Sequence, residues 1–147
     1  MAHLLRISEA ASLALHTAVY LAVRVERLVT THEVAELLGV SETHLAKVMQ
    51  RLVRVGLVRS TRGPHGGFAL ARAGEQISLL EVYEAIEGPL TQTECLLEEP
   101  VCQGSTCILG DLISEVASQA RDYLAGTMLS ELTGVYREVA ECEKPGK

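Results

Sequence analysis

Residues 30–56 read TTHEVAELLGVSETHLAKVMQRLVRVG, and this stretch decides the fold. Thr30 followed by Glu33 is the S/T-x-x-E pattern of a capping box, which opens a short helix over HEVAELL that Gly39 terminates. Ser41 caps a second helix, from Glu42 to about Val55, closed by Gly56. Ala35 is small where the two helices must approach. Gly39 makes the turn, and Val34, Leu38, Val40, Leu45 and Val48 supply an internal core, which together describe a helix-turn-helix. An ordinary tight corner between two helices has the same spacing, so the charges have to distinguish them. With the core positions removed, the second helix offers Glu42, Thr43, His44, Lys47, Gln50, Arg51 and Arg54. After Glu42 this face is not mixed in sign, as a merely solvated face would be. Ser41, Thr43, His44 and Lys47 fall at the start of the helix, where a recognition helix meets base edges. Arg51 and Arg54 are placed for phosphates.

Directly downstream, GLVRSTRGPHGGFALAR predicts a β-hairpin with strands Leu57–Thr61 and Phe68–Arg72. A hairpin after a recognition helix is a wing. Its tip places Arg62 for a minor groove, while Gly63, His65 and Gly66 allow close approach to the duplex. A phosphate-binding loop is excluded here, because GPHGG lacks the Lys-Ser/Thr ending and precedes a strand. Upstream, Ser8 caps a largely buried helix from Glu9 to about Arg27, with Leu13, Ala14, Ala18, Leu21 and Val25 on one face. Glu9, Ser12 and His16 align on another stripe of that helix. Downstream, Ser78 and Glu81 form a second capping box for a helix ending before Gly88-Pro89, which closes the winged unit.

The remaining chain carries a different chemistry. ECLLEEPVCQGSTC, residues 94–107, places Cys95, Cys102 and Cys107 within thirteen residues, with Glu94, Glu98 and Glu99 and no basic side chain. Soft sulfur in an anionic setting suits a metal or an iron–sulfur centre better than an anionic substrate. After Cys107 a helix is predicted to about Leu132. In it Leu109, Ile113, Val116, Ala120, Tyr123 and Thr127 recur at spacings of four and three, the seam of a helix that pairs with its copy in a second subunit; packing onto the first helix is the alternative. The tail 136–147, with Cys142, is expected to fray.

Composition agrees with two modules of opposite charge. From Ser41 to Arg72 there are Lys47, Arg51, Arg54, Arg59, Arg62 and Arg72 against Glu42 alone, a charge of +5 that leaves −11 for the rest of a chain whose net charge is −6. The basic module has the electrostatic footprint of a DNA-binding surface. At 147 residues the chain buries a core without disulfide staples. The N-terminus lacks a secretory signal and Arg24, Glu26 and Arg27 interrupt the longest apolar run, so a soluble cytoplasmic protein with no membrane association is expected. In that compartment clustered cysteines read as metal-binding or redox-active. An enzyme with a nucleophilic cysteine needs a base and a positive environment, and the acidic loop offers neither; no small-molecule substrate is expected. Zinc or a thiol switch is the competing reading of the cysteines, although C-x6-C-x4-C is not a usual finger spacing.

Taken together, LRISEAASLALH, the helix-turn-helix, RGPHGGF, ISLLEVYEAIEG and the cysteine triplet resemble the Rrf2 family of bacterial transcription regulators, over about residues 4–132. The resemblance implies a mainly α fold with a small β-wing. Its parts are a winged helix-turn-helix domain over 1–90, a cluster-binding loop over 91–107, a dimerisation helix over 108–135 and a flexible tail. It further implies a homodimeric repressor that binds double-stranded promoter DNA under the control of an iron–sulfur cluster, 2Fe-2S or 4Fe-4S, sensing cluster status, redox state or nitric oxide. By position Cys95, Cys102 and Cys107 are the cluster cysteines, the middle one a place later than in the commoner C-x5-C-x5-C. Members with a histidine after the third cysteine have no counterpart here, where Ile108, Leu109 and Gly110 precede Asp111. Members that use the partner's first helix place a carboxylate at the position of Ser12 and, in some, a histidine at that of His16. His16 is therefore the expected fourth ligand, with Glu9 and Asp111 as alternatives. Ala46 stands where another branch carries a base-reading glutamate.

Overall fold

The computed structural model describes residues 5–91, 95–103 and 107–136; Glu94 and the tail with Cys142 lie outside the described residues. Its helices are α1 (Glu9–Val23), α2 (Thr31–Leu38), α3 (Glu42–Arg54), α4 (Leu79–Glu87) and α5 (Leu112–Gly126), with strands β1 (Val58–Thr61) and β2 (Gly67–Leu70) between α3 and α4. The architecture is mainly α with one antiparallel hairpin, in the register Val58↔Leu70 to Thr61↔Gly67. Among the described residues no helix is long and apolar enough to cross a membrane.

The caps follow from side chains at helix starts. The hydroxyls of Ser8, Thr30, Ser41 and Ser78 each accept an amide N–H of the first turn. At Ser78 the capping box is reciprocal, with Glu81 reaching back to the Ser78 amide. At Thr30 only the first half holds, because the Glu33 carboxylate is taken by Arg27 and Tyr20. Gly39 ends α2 with φ +66°, a left-handed conformation that costs glycine nothing, and the chain turns directly into α3.

Burial sorts α3 as its sequence predicts: Leu45, Val48, Met49 and Leu52 are buried, and they join Val34 and Ala35 of α2 and the buried face of α1 in one core. Leu38 and Val40 pack on its edge.

Two helices are shorter than expected. The α1 helix stops at Val23, not near Arg27, and Val25 is 74% exposed instead of facing the core. The chain leaves the helix at Arg24 so that Val29 can pair with Phe68 of the hairpin. The expected helix to about Leu132 begins only at Leu112 and ends at Gly126. Thr127 is extended, and its carbonyl accepts the Leu79 amide at 2.9 Å while the Leu129 amide donates to Ile77 at 2.9 Å. A 3-10 segment, Leu129–Tyr136, then folds back onto α1, where the Tyr136 ring meets Tyr20 edge-on at 5.5 Å. The periodic seam thus mixed two elements: α5 packs against α4 and buries Ile113 of the seam, together with Ala117 outside it, whereas Thr127 belongs to the stitch.

Candidate nucleic-acid interface and cysteine loop

The exposed side of α3 carries Thr43, His44, Lys47, Gln50 and Arg54, and the wing tip adds Arg62, Gly63 and His65, all exposed. Ser41 holds the His44 amide at 3.1 Å, so its oxygen serves as a cap while its own proton stays free to donate. Glu42, the acid on this helix, is held by His32 of α2, with Nδ1 2.6 Å from the carboxylate. That hydrogen bond raises the His32 pKa above the ordinary imidazole value and engages the one carboxylate on the face. Two members of the predicted set have duties within the fold. Arg51 directs its guanidinium to the Ile86 carbonyl at 2.5 Å, at the carboxyl end of α4, where a cation meets the helix dipole. Gly66 closes the wing turn, its amide donating to Gly63 at 3.0 Å, and a Cβ there would collide with the Thr61 carbonyl.

A polar network behind this face joins α1 to α2. Tyr20 donates to Glu33 at 2.5 Å, Arg27 clamps the same carboxylate with both terminal nitrogens at 2.9 and 2.5 Å, and Arg24 lies over the Tyr20 ring at 5.3 Å. The Arg27 hydrogen bonds hold Glu33 below the usual carboxylate range, while burial pushes Tyr20 up. Neither partner of the Glu33 carboxylate is signalled by sequence spacing.

The cysteine loop is open by comparison. Cys95 and Cys107 are half-buried, Cys102 is exposed, and all three are free thiols. The Leu97 amide donates to Cys95 Sγ and the Leu109 amide to Cys107 Sγ, each at 3.5 Å. Such N–H···S bonds stabilise negative charge on sulfur, as a thiolate ligand requires. His16 lies on the exposed side of α1. Its Nδ1 is 2.7 Å from the Ser12 carbonyl, which can only accept, so Nδ1 carries the proton and Nε2 presents a lone pair. Glu9 is exposed two turns away, and Asp111 is exposed at the start of α5. Among the described residues, no three His, Cys, Asp or Glu side chains converge on one metal position within a single chain. The donor chemistry therefore fits a cluster, three sulfurs and an imidazole nitrogen, but one chain does not gather it.

A hairpin following a helix-turn-helix, with a cationic second helix, defines a winged-helix DNA-binding regulator. The family model described as "Rrf2: Iron-dependent Transcriptional regulator" matches residues 7–134, and the chain belongs to this family; it is a transcriptional regulator and not an enzyme. A candidate HTH-type transcriptional regulator of Aquifex aeolicus is 32% identical over 87% of this chain and 91% of its own length. The HTH-type transcriptional regulator IscR of Aliivibrio salmonicida is 33% identical over 68% of this chain, which spans only 60% of that protein. Among solved structures, CymR, the global cysteine regulator of B. subtilis, superposes with a TM-score of 0.76 at 25% identity over 89% of this chain and 98% of its own. An oxidized form of Staphylococcus aureus CymR reaches 0.71 at 27% identity, over 88% of this chain and 96% of that one.

Proposed function

We propose that the protein is a cytoplasmic homodimeric repressor whose affinity for promoter DNA is set by an iron–sulfur cluster on Cys95, Cys102 and Cys107 of one subunit, completed by His16 of α1 from the other. The observation that carries this is the pair of amide N–H···S bonds at Cys95 and Cys107, with the fixed tautomer of His16 in support. A bound cluster would supply a redox- and ligand-sensitive centre at the joint between loop and dimer.

The residues of the chain do the rest. On α5, Leu112 and Tyr123 are 51% and 60% exposed, on a helix that packs against α4 and buries Ile113 and Ala117; a second α5 is the natural cover for the exposed side. From the end of α5, the Thr127–Leu79 and Leu129–Ile77 hydrogen bonds and the Tyr136–Tyr20–Glu33 chain lead to the first residues of α2. A change in the angle between the two α5 helices would therefore move both recognition helices, and half-site spacing tolerates little error. On each α3, Thr43, His44 and Lys47 would meet base edges and Arg54 would meet phosphate, while Arg62 of the wing tip would enter the minor groove. Arg51 would act indirectly, by fixing α3 to α4.

Anaerobic purification tests this reading. A brown protein with visible absorption, iron and sulfide is expected, and Cys102→Ala should abolish all three. A colourless anaerobic preparation without iron would overturn it. The competing thiol switch draws on the exposed, free Cys102 and on the likeness to oxidized CymR; it requires instead that oxidation alone, with no iron present, change promoter affinity.

A further inference from the structure

We infer that the protein carries a second, small-molecule site: a cleft at the base of the wing that takes an amphipathic organic anion, an apolar body with a phosphate or carboxylate head. The cleft, about 380 Å³, lies between the end of α1 and the outer face of the hairpin and is lined by Arg24, Arg59 and Arg72 with no carboxylate among the described lining residues. Three guanidiniums around one concavity focus a positive potential into it. Arg72 is partly neutralised by Glu81 at 2.7 Å, and Arg24 is steered onto Tyr20. Arg59 is different: it is exposed, and among the described residues no hydrogen bond or ion pair engages it. A cation lining a concave surface, with no protein anion against it among the described residues, is placed to receive one from solution.

The floor decides the kind of anion. Leu21 and Ala69 are buried, and the exposed Ala71 and Ala73 add to the apolar lining of the same cleft. A backbone phosphate of a duplex gains nothing from such a floor, whereas a small molecule with an apolar body buries surface on it. The volume is in the range of small-ligand sites, about 300–1,000 Å³. The place also offers a consequence. Arg59 is on β1, opposite Ala69 in the ladder and three residues before Arg62 of the wing tip, so an occupant would tie the wing to the end of α1.

The test titrates full-length protein with phenyl phosphate and, separately, inorganic phosphate, following amide resonances by NMR, alongside promoter binding as a function of salt. Phenyl phosphate should shift Arg59, Ala69, Ala71 and Gly74 saturably and bind at least about ten-fold more tightly than inorganic phosphate. Arg59→Gln, a change at an exposed strand position, should weaken it by about ten-fold or more. Absence of saturable shifts at these amides, equal affinity for the two probes, or unchanged binding in Arg59→Gln would each overturn the proposal. If no probe binds and Arg59→Gln instead lowers the salt dependence of promoter binding, the cleft is a DNA backbone contact and the small-molecule site is wrong.

Discussion

The winged region and the cysteine-loop region are made under opposite terms. Between Ser8 and Glu87 nearly every apolar periodicity is honoured by burial, helix starts are capped, and Arg27, Arg51 and Arg72 find partners on other elements. Among the described residues from Cys95 to Gly126 only Ile113 and Ala117 are buried, while Leu96, Leu97, Val101, Ile108, Leu112 and Tyr123 stay exposed, Ile108 by 88%. The difference teaches that a single chain completes the DNA-reading half but leaves the cysteine-loop half open. Exposed apolar side chains in that number, next to free thiols, are the surface on which the proposed second subunit and cluster depend.

The sharpest way to break this comparison is to truncate one leucine in each region. Leu52→Ala, at a position with no exposure, should cost about 2 to 5 kcal/mol in urea unfolding. Leu112→Ala should change unfolding by less than about 0.5 kcal/mol when measured on dilute monomer, yet weaken the dimer in sedimentation equilibrium. Equal costs in the monomer would mean that α5 belongs to the same core.

A smaller effect is expected within the winged region. Glu33→Gln removes the carboxylate shared by Arg27 and Tyr20 and should cost about 1 to 2 kcal/mol at neutral pH. Because folding lowers the Glu33 pKa, its contribution is complete above the ordinary carboxylate value of 4.5 and is lost as pH falls below it through the folded value. The difference between native and Glu33→Gln unfolding should therefore shrink as a denaturation series is carried from pH 6 to about pH 3. A difference constant across that range would remove Glu33 from the link between α1 and α2.

The smallest effects separate recognition from support on one helix. Lys47→Ala should reduce the salt slope of promoter binding by about one, with stability unchanged. Arg51→Ala should leave the slope nearly intact and lower stability by about 1 kcal/mol, through loss of its bond to the Ile86 carbonyl. A slope change in Arg51→Ala equal to that of Lys47→Ala would return Arg51 to the groove.

Much of the fold was legible because its signals are local. A capping serine, a glycine at the end of a helix and apolar residues at helical spacing act within a few residues of each other, and they placed α2, α3, the wing and α4 closely. The same logic failed at the end of α1 and beyond Gly126. There the helix pattern continues in sequence, but pairing with distant strands and with α4 offers better hydrogen bonds: Val29 with Phe68, Leu129 with Ile77. The candidate DNA face was visible as a run of one sign of charge; that Arg51 turns to α4 and that His32 holds Glu42 was not, since both depend on partners ten or more residues away.

By itself, then, the sequence determined a winged-helix chain of the Rrf2 kind with a triplet of thiols between its two modules, because helix periodicity, turn chemistry and cysteine spacing are properties of neighbouring residues. Only the tertiary structure decided that α5 stops at Gly126 and is stitched back to the winged unit, that Tyr136 reaches Tyr20, and that three sulfurs and an imidazole do not meet within one chain. Those outcomes rest on which distant surfaces come together, and no local pattern encodes that.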